Sequence, residues 1–235
     1  MRFLRWFLAV VFILSFAAVL LLRWIPPVTS AFMVEKFFSK LFDSEKKLPF
    51  RYHWVSIEAI SSNILLAVIA AEDQKFCSHW GFDLESIADA IEDSQNGANL
   101  RGASTITQQV AKNLFLWSGR SFVRKAVEAY FTVLLEMMWP KKRILEVYVN
   151  IAEFENGIYG VYEASGIFFK KKPANLTKRE ASLMAAVLPN PERLKVQNPS
   201  YYVKRRARWI EGQMSKLGGI GYIENVCGNI SSGRK

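Results

Sequence analysis

Glu72 and Asp73 close a strongly apolar stretch, and Gln74, Lys75, Phe76, His79, Gly81 and Asp83 follow at once. A carboxylate at the end of a buried helix meets the negative end of the helix dipole and loses hydration. Both effects disfavour its ionised form and carry its pKa toward the range of a general base. The same residues also read as an ordinary polar helix end in water, and pattern alone leans to that plainer reading.

A second cluster runs Gly102-Ala103-Ser104-Thr105-Ile106-Thr107-Gln108-Gln109-Val110-Ala111-Lys112-Asn113. Helical spacing places Thr105, Gln108 and Lys112 on one face, opposite an apolar stripe of Ile106, Val110 and Leu114. A hydroxyl-rich helix start with free backbone N–H groups, and a lysine two turns along, suits an oxyanion or a phosphate. A well-capped surface helix fits equally, since Thr105 and Gln108 have capping-box spacing. The third cluster is Arg120, Arg124, Lys125 and Glu128; Arg124 and Glu128 stand four apart, so a simple ion pair along a helix accounts for them.

Other chemistries are disfavoured. HExxH and CxxC are absent, and His53 and His79 are the only histidines, so metal-ligand spacing is lacking. Ser44 to Lys47 form a lone Ser-x-x-Lys without the companion motifs of an acylating enzyme. The two cysteines, Cys77 and Cys227, are too few for a disulfide scaffold, and unpaired thiols are expected.

The elements that would carry these clusters read as helices. Stripes at helical spacing cover Ile57 to Ala71, Ile106 to Leu114, Val123 to Met138, and Ile144 to Ile151 behind Pro140. Two more are expected over Lys178–Leu188 and Tyr201–Leu217, and glycines 157 and 160 break the pattern between. Few segments alternate with period two, so the fold class is mostly α.

Trp6 to Leu22 is an uncharged run interrupted only by Ser15, stopped by Pro26-Pro27. It is longer than the apolar core of a signal peptide and ends in a poor cleavage site, so it reads as one transmembrane anchor. Arg2 and Arg5 precede it, which places the amino end in the cytoplasm and the remainder outside. The expected organisation is 1–27 cytoplasmic tip and anchor, 28–56 connector, 57–220 catalytic domain and 221–235 tail. Within the connector Phe32, Met33, Phe37 and Leu41 fit a short amphipathic helix at the membrane surface.

The chain has 235 residues, 51% apolar and 22% charged, with net charge +10, a composition that excludes a disordered chain. Residues 170–216 hold twelve basic and three acidic residues, so they carry most of the excess. Such a block calls for an anionic partner or is a solvated helical face. Placement outside the cytoplasm argues against nucleic acid and for an anionic membrane surface.

In this order and behind this anchor, the clusters resemble the peptidoglycan glycosyltransferases, glycosyltransferase family 51, in their stand-alone monofunctional form. Glu72 to Gly81 resembles the first family motif, Glu-Asp-x-x-Phe-x-x-His-x-Gly. Gly102 to Asn113 is similar to the second, with Ala103 in place of its second glycine. Arg124-Lys125-x-x-Glu128 matches the third and Lys142-x-Ile144-Leu145-Glu146-x-Tyr148-x-Asn150 the fourth, and Ala185-Ala186-x-Leu188-Pro189 lies near the end. The match covers roughly residues 50–215.

The resemblance implies a lysozyme-like helical glycosyltransferase domain with a small membrane-facing jaw lobe around Phe115 to Val123, where Phe115, Leu116, Trp117 and Phe122 are apolar. It implies polymerisation of lipid II into β-1,4-linked glycan strands with release of undecaprenyl pyrophosphate. Glu72 would be the base that deprotonates the acceptor 4-hydroxyl. Glu128 would assist at the pyrophosphate, directly or through a divalent cation (Mg2+ or Mn2+), with no tightly bound cofactor. Ser104, Thr105, Gln108, Gln109, Lys112, Asn113, Arg120, Arg124 and Lys125 would hold substrate or pyrophosphate; Asp73, Phe76, His79 and Gly81 would be structural. Expected partners are lipid II, the growing lipid-linked strand, the membrane surface and other wall-synthesis or division proteins. Two alternatives remain: a lytic transglycosylase or muramidase, which would need no pyrophosphate-binding cations, and a non-enzymic membrane-anchored scaffold.

Overall fold

The computed structural model describes residues 2–41, 50–95, 104–119 and 121–226. Helix α1 (Arg2–Leu22) is the one described helix long and apolar enough to cross a membrane. After the Pro26-Pro27 stop, α2 (Ala31–Leu41) forms within the connector as the amphipathic pattern predicts. It buries Met33 and leaves Val34, Phe37, Phe38 and Leu41 exposed.

The centre of the body is α3 (Ser62–Glu72). Ser61 caps it by accepting a bond from the Asn63 amide, and Ile64 to Ala70 are buried on every side, as a helix apolar all round must be. The apolar stripe read from Ile57 to Ala71 is not one helix. Ile57–Ala59 make a 3-10 turn, and extended backbone at Ile60 and Ser61 separates it from α3.

Helix α4 (Leu84–Gln95) follows the first chemical cluster. Next, α5 (Ile106–Phe115) packs between α6 (Phe122–Met138) and α7 (Lys141–Ile151). Pro140 is the N-cap of α7 rather than part of its first turn. Helices α9 (Lys178–Val187) and α10 (Tyr201–Lys216) pack on each other and on α3. Each core Ile or Leu buried here contributes about 1.5–3 kcal/mol of transfer free energy.

Period-two reading found little, yet a small sheet exists. It consists of β1 (Arg51–Tyr52), β2 (Glu153–Glu155) and β3 (Ile158–Tyr159), in the order β1-β3-β2, with β1 parallel and β2 antiparallel to β3. The connector's last part therefore belongs to the body. Strands of two or three residues are too short for alternation to register. Gly160 does not end order: it opens α8 (Gly160–Phe169) at φ +79°, where a Cβ would lie 2.6 Å from the Asn150 carbonyl oxygen.

The segment expected as a tail begins with α11 (Ile220–Val226), which packs on α3 and buries Ile223. Cys77 is disulfide-bonded, against the expectation of a free thiol. Cys227, Gly102, Ala103, Arg120 and the Ser44–Lys47 motif lie outside the described residues. In the stretch expected as the jaw, the apolar residues divide. Phe115 stacks on Phe131 at 4.4 Å and Leu116 is buried, while Trp117, Phe122 and Val123 are exposed.

Candidate active site

Glu72 is the last residue of α3, and its carboxylate is held from two sides. Gln109 Nε2 on α5 donates to Oε2 at 3.0 Å, and Arg206 Nη2 on α10 stands 3.5 Å from Oε1. Gln109 is oriented in turn, because its Oε1 accepts the Tyr148 hydroxyl of α7 at 3.2 Å. Burial pushes the Glu72 carboxyl above its ordinary value, with Gln109 and Arg206 pulling the other way. Burial likewise carries the Tyr148 hydroxyl well above the usual phenol range, so it stays a donor to Gln109. A carboxylate so placed can accept a proton from a hydroxyl near neutral pH.

A cavity of about 600 Å³ opens beside this group. Its walls include Ala71, Glu72, Asp73, Asp83, Asp89 and Trp209. Ser104 and Thr105 also line it.

Asp73, next to Glu72, is engaged in structure. His79 Nε2 lies 2.9 Å from its Oδ1, and the Ile106 amide donates to its Oδ2 at 2.9 Å. It thus ties the post-α3 loop to the amino end of α5. Phe76 is fully buried, with its ring edge toward His79. Gly81 has φ +76°, and a Cβ there would lie 2.7 Å from Thr132 Cγ2. Its carbonyl accepts the Thr105 hydroxyl at 2.6 Å. Asp73, His79 and Gly81 therefore tie the loop after α3 to the start of α5.

The start of α5 forms the capped helix, one of the two readings its sequence allows. Thr105 and Gln108 are buried and complete a reciprocal capping box. The Gln108 amide donates to Thr105 Oγ1 and the Ile106 amide to Asp73, so the protein's own acceptors occupy this helix end. Face arithmetic assumed a solvated helix, whereas α5 is packed between α6 and α7. Gln109 is the residue that reaches Glu72. Ser104 is exposed, and Asn113 is half-buried near the end of α5.

Lys112, one turn beyond Gln109, is largely buried with its Nζ 5.4 Å from the Phe32 ring centroid of α2. Burial pushes its ammonium down; Glu128 opposes this, and Arg124 and Lys125 add to it. Glu128 is itself buried on α6. Arg124 Nη1 donates to its Oε2 at 2.6 Å and Lys125 Nζ to its Oε1 at 2.5 Å. Three cations therefore gather around one carboxylate, with net positive charge left for an anion. Among the described residues, no three His, Cys, Asp or Glu side chains gather as a metal site.

Arg206, Tyr148 and Phe32 were not singled out as site residues. Arg206 sat unmarked inside the basic block, Tyr148 inside a motif, and Phe32 in an apolar stripe. The fold divides that block: Lys171 pairs with Glu180 and Lys195 with Glu155, while Arg206 turns to Glu72. Arg179, Lys204 and Arg208 line a separate groove of about 270 Å³ with Glu211.

A family model described as transglycosylase matches residues 41–215. The chain is 52% identical over 222 residues to a biosynthetic peptidoglycan transglycosylase of Shewanella oneidensis, covering 93% of this chain and 94% of the relative. It is 48% identical over 226 residues to the protein of that name from Pseudomonas syringae pv. tomato, covering 96% and 94%.

Proposed function

This chain belongs to the transglycosylase family, and from that premise we propose that Glu72 and the Glu128 cluster divide the work of glycan polymerisation. The protein is a peptidoglycan glycosyltransferase that builds glycan strands. Its substrates on this reading are lipid II as acceptor and the growing lipid-linked strand as donor. Glu72 takes the proton from the acceptor 4-hydroxyl, whose oxygen bonds to C1 of the donor sugar. The bond from C1 to the pyrophosphate breaks, and undecaprenyl pyrophosphate leaves with the electron pair.

The observation that carries this reading is the pairing of a buried carboxylate of raised pKa with a separate cation cluster, both served by α5. A positioned base is worth roughly 10²–10⁴ in rate, and pre-placed donors lower the cost of charge developing on the leaving group. Lys112, Arg124 and Lys125 supply that charge. Glu128 positions the last two. Both its oxygens are already engaged by Arg124 and Lys125, so the donor set does not fit a divalent cation.

The anchoring helix α1 keeps the enzyme in the plane of lipid-linked substrates and raises their effective concentration. With Arg2 and Arg5 before it, the amino end lies in the cytoplasm and the catalytic body on the outer face of the plasma membrane.

Full-length protein in detergent, given labelled lipid II, will form glycan strands, and Glu72→Gln will form none. Cleavage of preformed glycan without polymerisation would favour a lytic enzyme. Neither activity from folded protein would leave a scaffold.

A further inference from the structure

The end of α1 is not a free tether. The last carbonyls of a helix lack partners within it, and beside an apolar layer water cannot supply them. Here side chains of the catalytic body do so. Arg143 donates from Nε at 3.1 Å and Nη2 at 2.8 Å to the Leu22 carbonyl, and from Nη2 at 2.8 Å to that of Ile25. Trp139 Nε1 donates to the Val19 carbonyl at 2.8 Å, and the Tyr52 hydroxyl to that of Pro27 at 2.5 Å. Donors from β1, α7 and the turn before α7 thus converge on residues 19–27.

The Arg143 guanidinium is held on its other sides as well. Its Nη1 pairs with Glu146 Oε2 at 2.7 Å, and Glu146 Oε1 accepts the Ile57 amide at 3.0 Å. The Trp54 and Trp139 rings lie 5.0 and 5.8 Å from it. A cation at a helix carboxyl end also complements the macrodipole. Further up α1, Val19 is fully buried in the body's core, and Ser15 and Tyr130 share a hydroxyl contact at 2.7 Å.

We propose that Arg143, with Trp139 and Tyr52, locks the membrane helix to the catalytic body, making α1 an element that orients the cleft toward the bilayer. Arg143 is the positioning residue of this joint. It lies in the first turn of α7, and the same helix carries Tyr148, which holds Gln109 against Glu72. The line from anchor to base therefore runs along one short, buried helix. A substrate confined to the membrane reaches the base only in the attitudes the joint allows, whereas one free in solution is indifferent to it.

The inference rests on the polymerase reading, and its test separates the two. Full-length wild type, Arg143→Ala and the packing-conservative Trp139→Phe/Tyr52→Phe are compared in bilayer nanodiscs. Each is given lipid II in the bilayer or a water-soluble short-prenyl analogue. Distances are measured between nitroxides on exposed Val11 and Tyr201. Both variants should broaden a narrow distance distribution. They should lose roughly tenfold or more of the bilayer activity, the scale expected of misorientation, and keep the activity on the soluble analogue. A distribution that stays narrow in both variants, or equal losses on the two substrates, overturns the joint. A wild type inactive on both substrates counts against the polymerase reading instead, and the distances then decide the joint alone.

Discussion

Arg206 Nη2 stands 3.5 Å from Glu72 Oε1, though 134 positions separate the two residues. The contact is longer than a strong charge-assisted hydrogen bond. It steadies the ionised carboxylate while leaving its Oε1 room for the proton that the proposed base would accept. Burial raises the Glu72 pKa, and Gln109 and Arg206 partly offset the rise.

Arg206→Gln removes the offsetting charge. The acid limb of the pH profile of kcat/KM should move to higher pH, and activity at neutral pH should fall, while Arg206→Lys keeps the limb near its wild-type position. A charge within reach of a carboxylate moves its pKa by about 1 unit or more, enough to resolve by steady-state rates on lipid II. An unmoved limb in Arg206→Gln would mean that the arginine serves packing alone.

Glu72 should also depress stability. Its folded-state pKa lies above the ordinary 4.5, so as pH rises from 4.5 the unfolded chain gives up its proton first. Stability falls through that window and the full penalty persists above the folded pKa. Glu72→Gln has no such penalty. Its melting temperature should exceed that of wild type at neutral pH, and the gap should close as pH falls to 4.5. A gap independent of pH would contradict the burial account.

Tyr148→Phe should leave Gln109 Oε1 buried without its donor. An unmet buried acceptor costs about 1–3 kcal/mol, and Gln109 becomes free to rotate away from Glu72. The expected result is a fall in kcat with KM little changed, measured alongside thermal unfolding. A change in KM alone would place the hydroxyl on substrate binding instead.

Gly81→Ala tests the join between α3 and α5. The position needs positive φ, and the new methyl would press on Thr132 and Glu136. Strain of this kind costs about 1–3 kcal/mol, so the unfolding midpoint should drop clearly. An unchanged midpoint would show that the join relaxes freely.

Much of this was legible from residue order. Helix α1 stood out because its uncharged run is long enough to cross a membrane, and the capping signature of Thr105 and Gln108 located the start of α5. The end of an apolar helix at Glu72 was legible, though pattern alone leaned to a plain helix end and only the resemblance gave the residue a role. What stayed hidden depended on tertiary packing. Nothing local distinguishes Arg206 from the basic residues around it; only the packing of α10 on α3 turns it inward. The burial of Thr105 and Gln108 was hidden for the same reason, since their face was counted as solvated before α6 and α7 enclosed it. The strands around Tyr52 and Tyr159 were too short to show alternation, and α8 began on a glycine that otherwise signals a break.

Glu128 supplies the test that separates a positioning carboxylate from a metal ligand. Both its oxygens are bound by Arg124 and Lys125, and removing one partner of a buried pair leaves the other uncompensated, a change worth about 3–5 kcal/mol. Glu128→Gln should therefore lose polymerisation by at least tenfold, because the two cations are no longer aimed together at the pyrophosphate. Chelation of divalent ions should leave the wild-type rate unchanged, since the cluster's own cations neutralise the leaving group. A wild-type rate that collapses on chelation and returns with Mg2+ would overturn this account, because Glu128 would then have to release at least one of its present partners to hold the ion.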